Sequence, residues 1–251
     1  MAKRRWDGAS YDRISGPMAR MGLAVLDRLE LDGAETVLDA GCGSGRITEA
    51  LLERLPQGRV IALDSSESMI AAAAERLGRD PRLELRAGDL LELQLEQPLD
   101  AVFSTATFHW IKDHDALFGR LRAALRQGGK LVAQCGGEGN ITRLRGAVLP
   151  LMAREPYASH FASFEAPWNY ASAELTERRL RDAGFASARC WLAEAPQQPE
   201  EPREYLSSIV LGPHVQQLPQ ELRERFMDDV LALLPEPVTV DYVRLNIDAS
   251  A

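Results

Sequence analysis

Apolar residues along this chain follow two periods in alternation. Met18, Met21, Val25, Leu26 and Leu29 recur three and four positions apart, the spacing of one helical face, and predict a helix over about residues 17–30. The period then shortens. Thr36-Val37-Leu38, Val60-Ile61-Ala62-Leu63, Leu83-Glu84-Leu85, Ala101-Val102-Phe103 and Lys130-Leu131-Val132-Ala133 are short β-rich runs. Ile47, Ala50, Leu51 and Leu55 form a helical stripe between the first two runs. Ile70, Ala73 and Leu77 form another after the second, with Ser65 or Ser66 placed as N-cap. A further helix is expected from about Asp113 to Arg126, stopped by Gly128-Gly129 just before the fifth strand. Strands alternating with helices at this spacing imply a parallel sheet covered on both faces. Residues 90–98 break the alternation and read as a loop.

Periodicity weakens from about 137 to 171, where small and aromatic residues mix with Pro150, Pro156 and Pro167. A helix then runs from Ser172 to Ala183, closed by Gly184, and a strand follows near Ala188–Leu192. A Pro/Glu/Gln-rich linker at 195–202 leads to helices near 203–211 and 219–234, and a final strand is expected over Val238–Ile247. The simplest architecture is an α/β fold with a seven-stranded, mostly parallel, Rossmann-like sheet and a small helical cap. The core occupies residues 1–136, with its later helix and strand at 172–194 and its final strand at 238–251. Two insertions, 137–171 and 195–237, make the cap.

Charge narrows the partners. A formal net charge of -8 disfavours a large phosphate-binding face, and the Lys3-Arg4-Arg5 run reads as a solvated tail, so nucleic acid is not expected. Three scattered cysteines fit neither a disulfide framework nor a zinc cluster, and point to a reducing compartment. The first twenty residues carry charges with no apolar h-region, and no apolar run approaches the roughly 20 residues of a membrane span. A cytoplasmic protein acting on a small molecule is expected. Monomer and homodimer stay open.

The segment Val37-Leu38-Asp39-Ala40-Gly41-Cys42-Gly43-Ser44-Gly45 carries the chemistry. It spans the end of the first strand and the start of the first core helix, where open α/β sheets bind ligands. A dinucleotide fold would place a third glycine where Arg46 stands, and the acid Asp39 would repel a pyrophosphate. The same acid favours a cationic amino-acid ligand, a sulfonium for example. An NAD-dependent oxidoreductase is thereby disfavoured. Asp64 ends the second strand, where a carboxylate can accept ribose hydroxyls, and Asp89 follows the third, where it can accept the adenine amino group. His109-Trp110 ends the fourth strand, where a methyl acceptor would approach. His109 could take a proton, orient the acceptor, or simply shape the pocket. His114 is expected in the first turn of its helix, facing solvent. His160 and His214 show no ligand spacing, and no metal site is indicated.

The constellation resembles the class I S-adenosylmethionine-dependent methyltransferases, and more narrowly the trans-aconitate methyltransferase-like group. The likeness rests on Trp6-Asp7, Tyr11, V-L-D-A-G-C-G-S-G at 37–45, L-D-S-S-E-S-M-I at 63–70, F-H-W-I-K-D-H at 108–114, G-G-K-L-V-A-Q at 128–134 and Y-V-R-L-N-I-D-A at 242–249. Malonyl-carrier-protein methyltransferases share several of these. Tyr205–Val215 lacks the tryptophan of the aconitate pattern, so the substrate does not carry over. The resemblance implies that Asp39, Gly41, Gly43 and Gly45 surround the methionine moiety and Asp64 the ribose. Ser65 and Met69 would lie against ribose or adenine, although Met69 reads equally as a core residue. Asp89 and Leu90 would hold the adenine edge, Thr105 would line the sulfonium end, and Tyr11 would close over the cofactor. The expected cofactor is S-adenosyl-L-methionine, with S-adenosyl-L-homocysteine as product. The expected acceptor is a small molecule, methylated on a carboxylate. A carrier-linked acyl group and a non-catalytic cofactor-binding regulator are the alternatives. Arg143, Arg145 and Arg244 are candidate carboxylate anchors, against the plainer reading of surface or ion-pair residues.

Overall fold

In the computed structural model, residues 16–251 are described. Seven strands form a single sheet in the order β3-β2-β1-β4-β5-β7-β6. They are β1 (Thr36–Ala40), β2 (Arg59–Asp64), β3 (Leu83–Ala87), β4 (Leu99–Thr105), β5 (Leu125–Gly136), β6 (Ser187–Glu194) and β7 (Val243–Ser250). β7 runs antiparallel to its neighbours β5 and β6, and the remaining pairs are parallel.

Alternation along the central strands sorts side chains to two faces. Val37, Val60 and Phe103 point to one, packing with Val25 and Leu26 of α1 (Gly16–Leu26) and Leu51 of α2 (Arg46–Arg54). Leu38, Ile61 and Val102 point to the other. They pack with Leu117 and Phe118 of α4 (His114–Ala124) and Leu180 of α7 (Ala173–Asp182). Burial on both faces is why these strands are continuous apolar runs. Truncating any one of these leucines to alanine costs about 2–5 kcal/mol. α3 (Glu67–Leu77) joins β2 to β3, and Ser66 caps it, accepting from the Met69 N–H.

A third apolar cluster stands apart from the sheet. Leu144 and Val148 of α5 (Thr142–Met152) and Phe161 of α6 (Ala158–Phe161) pack with residues more than forty positions later. These are Tyr205 of α8 (Pro202–Tyr205), Leu206 of the π turn Leu206–Val210, and Phe226 of α10 (Gln220–Ala232). The short α9 (Gly212–Gln217) lies between them in sequence.

Four expectations are corrected. The first helix ends at Leu26, with residues 27–29 in turns. Gly128-Gly129 do not stop a helix. The chain passes straight from α4 into β5 at Leu125, and Gly128, at φ 73, sits in the irregularity between the Leu99–Leu125 and Ala101–Lys130 pairings. The loop expected at 90–98 is present, with a 3-10 turn at Leu90–Glu92 capped by Asp89. The last strand starts at Val243, not Val238. Val240 pairs instead with Gln197, and the Tyr242 N–H turns back to the Val240 carbonyl, so the ladder begins only beyond it. His114 is buried, not solvent-facing: its Nε2 lies 3.0 Å from the Phe108 carbonyl and its ring against Phe118.

Candidate functional site

The loop after β1 is held in a shape that side chains resist. Gly41, Gly43 and Gly45 take φ of 85, 56 and 82. A Cβ on Gly41 would stand 2.1 Å from Thr107 Oγ1, and one on Gly45 2.9 Å from Leu77 Cδ1, whereas Gly43 faces open space. Gly41 thus lets the loop pass the end of β4, Gly45 lets α2 pack on α3, and Gly43 leaves backbone exposed to a ligand. The Gly41 and Cys42 N–H groups donate to the Leu63 carbonyl at 2.7 and 3.0 Å, tying the loop to β2.

Two carboxylates organise this loop. Asp64 accepts from the Gly43 N–H at 3.0 Å with one oxygen and from the Ser66 N–H at 2.8 Å with the other. Asp39, 2% exposed, accepts from Thr48 Oγ1 at 2.7 Å. Burial raises the pKa of both. It pushes Asp39 to about 7, the Thr48 bond opposing it and the nearby Asp64 charge adding to it. Neither has an ion-pair partner among the described residues. A buried acid and a half-buried one, with no cation paired to either among the described residues, form a site of negative potential at the carboxyl ends of β1 and β2.

A cavity of about 840 Å³ opens there. Gly41, Gly43, Asp64, Ser65, Met69, Asp89, Leu90 and Thr105 line one side of it. Met69 is both wall and core, at 3% exposure. Asp39 and Gly45 lie behind the wall, because the loop folds over the carboxylate that Thr48 holds. Asp89 Oδ1 accepts from the Leu91 N–H at 2.9 Å.

The far side is built from the 3-10 turn Phe108–Trp110, β7 and the chain around 163–170. His109 Nδ1 accepts from the Gly136 N–H at 3.2 Å, so the neutral ring carries its proton on Nε2. The ring packs against Trp110 and Tyr170, and Trp168 stacks on Tyr170 at 5.6 Å and 11°. Lys112 Nζ donates to the Ala166 and Trp168 carbonyls, and the Asn169 N–H to the His109 carbonyl, pinning this aromatic segment in place. Gly136 makes the room. A Cβ there would meet Tyr170 Cε1 at 2.7 Å.

Arg244 pairs across β7 with Gly136 and lines the cavity at 4% exposure. Its guanidinium sits 5.5 Å from the Tyr242 ring, and Nε has no hydrogen-bond partner among the described residues. The other two arginine candidates are placed elsewhere. Arg143 is exposed at the start of α5, and Arg145 is half-buried there, outside the cavity wall. Tyr11 lies outside the described residues. Sequence reasoning missed Asn140, Phe164, Trp168, Tyr170 and Tyr242, all of which line the cavity. The aromatic density of 164–170 and the period-2 placement of Tyr242, Arg244 and Asn246 on one face of the last strand were the available signals. Among the described residues, no helix is long and apolar enough to cross a membrane, and no His/Cys/Asp/Glu cluster could hold a metal.

Comparison with known proteins agrees with this geometry. The methyltransferase domain family matches residues 37–129. Trans-aconitate 2-methyltransferase of Azoarcus sp. (strain BH72) is 38% identical over 129 residues, 51% of this chain and 50% of that protein. Its counterpart in Methylobacterium nodulans is 30% identical over 190 residues, 76% of this chain and 68% of that protein. The match thus spans about half the length of the first of these relatives and two thirds of the second. The fold is shared with phosphoethanolamine N-methyltransferase 2 of Haemonchus contortus, solved with S-adenosyl-L-methionine. That likeness has a TM-score of 0.63 at 22% identity and covers 97% of this chain and 56% of that one.

Proposed function

We propose a catalytic role for this chain, which belongs to the class I S-adenosylmethionine-dependent methyltransferases and, within them, to the trans-aconitate methyltransferase-like group: it methylates the carboxylate of a small acid. The observation that carries the reading is the glycine loop backed by two carboxylates, buried Asp39 and half-buried Asp64, neither paired with a cation among the described residues. That donor set fits a cationic amino-acid cofactor and opposes a pyrophosphate. Gly41 and Gly43 would offer backbone to the methionine end, Asp64 would accept from the ribose, and Met69, Asp89 and Leu90 would enclose the adenine. Thr105 would face the sulfonium end.

When bound, S-adenosylmethionine supplies a methyl group made electrophilic by its sulfonium. The chain's own residues position the acceptor and exclude water. A carboxylate is already ionised at neutral pH, so no base is needed. His109 is suited to orienting such an acceptor, because with Nδ1 accepting from Gly136 its other ring nitrogen is an N–H donor without a lone pair. In this reading the segments 137–171 and 195–237 form a cap over the acceptor side. The net charge of -8 supports a small-molecule acceptor in place of nucleic acid.

Titration calorimetry tests the cofactor half. S-adenosylmethionine and S-adenosylhomocysteine should bind, and NAD at least about tenfold more weakly. Comparable NAD affinity would overturn the reading. Release of S-adenosylhomocysteine on adding carboxylic acids tests the other half, and its absence with every acceptor class would favour a cofactor-binding regulator.

A further inference from the structure

We propose that the acceptor is a monocarboxylic acid with a bulky apolar body, and that Arg244 holds the same carboxylate that is methylated. This rests on the methyltransferase reading above and narrows it.

Arg244 is a buried cation with no carboxylate partner among the described residues. The half-buried Arg28, on the same side of the sheet, shows the contrast: Asp248 stands 3.0 Å from it and Asn246 accepts from it. The Tyr242 ring face offsets part of the cost of burying Arg244. The remainder calls for an anion, and a guanidinium fork matches a carboxylate. Among the described residues Arg244 is therefore the buried cation of the cavity wall and offers a deep seat for one negative charge, while the Arg145 charge acts on Tyr170 from outside the wall.

The wall on this side is mostly apolar. Phe164, Trp110, Trp168, Tyr170, Val210 and Tyr242 line it, with the uncharged Asn140, Gln216 and Gln217 between them. Two further charged side chains reach this part of the wall among the described residues. Glu165 is itself negative, and Lys112 is solvent-exposed, its ammonium donating to two carbonyls. Away from Lys112, a second or third carboxylate would be desolvated against ring faces without a counter-ion among the described residues, which is strongly unfavourable. Tricarboxylates fit this wall poorly, although relatives are named for one.

With one anion and one cation, the group that is anchored is the group that reacts. A carboxylate offers about four lone-pair sites, and a guanidinium fork occupies two, leaving others for attack. One carboxylate oxygen bonds to the methyl carbon as the carbon–sulfur bond breaks, and that bonding pair returns to sulfur. No proton moves. The negative acceptor and the positive sulfonium become two neutral products. The ester then loses its charge-assisted hold on Arg244, which weakens its binding and favours release.

The test compares cinnamate and octanoate with trans-aconitate, citrate and cinnamamide, following S-adenosylhomocysteine release and base-labile ester formation. Expected are a kcat/KM for a monoacid at least tenfold above either polyacid, and no reaction with the amide. Arg244→Met should raise KM for the monoacid at least tenfold while S-adenosylhomocysteine affinity stays within twofold, which also reports that the fold is intact. Arg143→Ala, on the exposed start of α5, should change neither. If S-adenosylhomocysteine binds and a polyacid is the better substrate, or if Arg244→Met leaves KM unchanged, this proposal fails and the methyltransferase reading stands. Absence of cofactor binding, or of transfer to any acid, overturns both.

Discussion

Replacing Asp39 by asparagine should stabilise the ligand-free protein at pH 8 and do little at pH 4. Burial raises the Asp39 pKa from an ordinary 3.8 to about 7. Between those values the unfolded chain has released the proton and the folded chain still holds it. Unfolding therefore releases a proton, and the Asp39 contribution to stability falls as pH rises through this window, then levels above about 7. At about 1.4 kcal/mol per pH unit, the ceiling is about 4 kcal/mol. Asparagine carries no such penalty and can still bond Thr48. His114 and His214 are pushed down by burial and titrate in the same region with the opposite slope, so wild type alone is ambiguous. The difference between variant and wild type isolates Asp39. For a chain of this length 1 kcal/mol corresponds to about 2–4 °C, so half the ceiling already moves Tm by about 4–8 °C. Differential scanning calorimetry at pH 4, 6 and 8 should show the advantage of the Asp39→Asn variant growing with pH. The stabilised variant should bind S-adenosylmethionine more weakly, because a cation favours the ionised acid. By the same linkage, wild-type binding below pH 7 should release a proton, visible as buffer-dependent heats. A Tm difference that does not change with pH would refute the reasoning.

Asp64→Ala removes the proposed acceptor of the ribose hydroxyls along with that of the Gly43 and Ser66 N–H groups; a hydrogen bond to a charged group is worth about 1.5–3 kcal/mol, so losing the ribose contact should drop S-adenosylhomocysteine affinity at least about tenfold by calorimetry. Gly41→Ala should lower Tm far more than Gly43→Ala in thermal scans under one set of conditions. Both sit at positive φ, but only the first drives a Cβ into Thr107. His109→Gln should reduce kcat/KM without changing the shape of its pH profile, since a ring whose Nδ1 accepts from Gly136 is not the base. A lost basic limb would assign it that role.

How much of this was readable beforehand follows from how local each feature is. The central strands could be read because a sheet buried on both faces leaves uninterrupted apolar runs, as in Val60-Ile61-Ala62-Leu63. The helix α5 was harder to read. Leu144, Val148, Leu151 and Met152 keep one face, but Leu149, 53% exposed, and Pro150 place apolar residues on the other and blur the contrast. His114 looked solvent-facing because a polar residue opening a helix usually is; the turn at Phe108–Trp110 folds onto it and supplies a carbonyl. Gly128-Gly129 read as a stop, and serve as a bulge within β5.

The two halves of the cavity differ in the same way. The loop at 39–45 and the strand ends at Asp64 and Asp89 are short segments whose geometry is nearly determined by their own residues, so a pattern in sequence is a pattern in space. The acceptor side is assembled from His109, Gly136, Tyr170 and Arg244, which only the sheet brings together. The antiparallel strand is what does it. Parallel strands deliver their last residues to the ligand edge, whereas β7 delivers its first, so Tyr242 and Arg244 arrive opposite the end of β5. Nothing in the local pattern of 242–249 shows which way the strand runs. Its direction decides whether Arg244 is an ion-pair partner at the closed edge or a buried cation of the pocket wall. That one topological fact separates the two readings of the arginines: it places Arg244 in the wall, while Arg143 and Arg145, on α5, remain outside. An acceptor site built this way can change by substitutions at the start of β7 and in 163–170 without touching the glycine loop. A shared cofactor half in this family therefore carries little information about which acid is methylated.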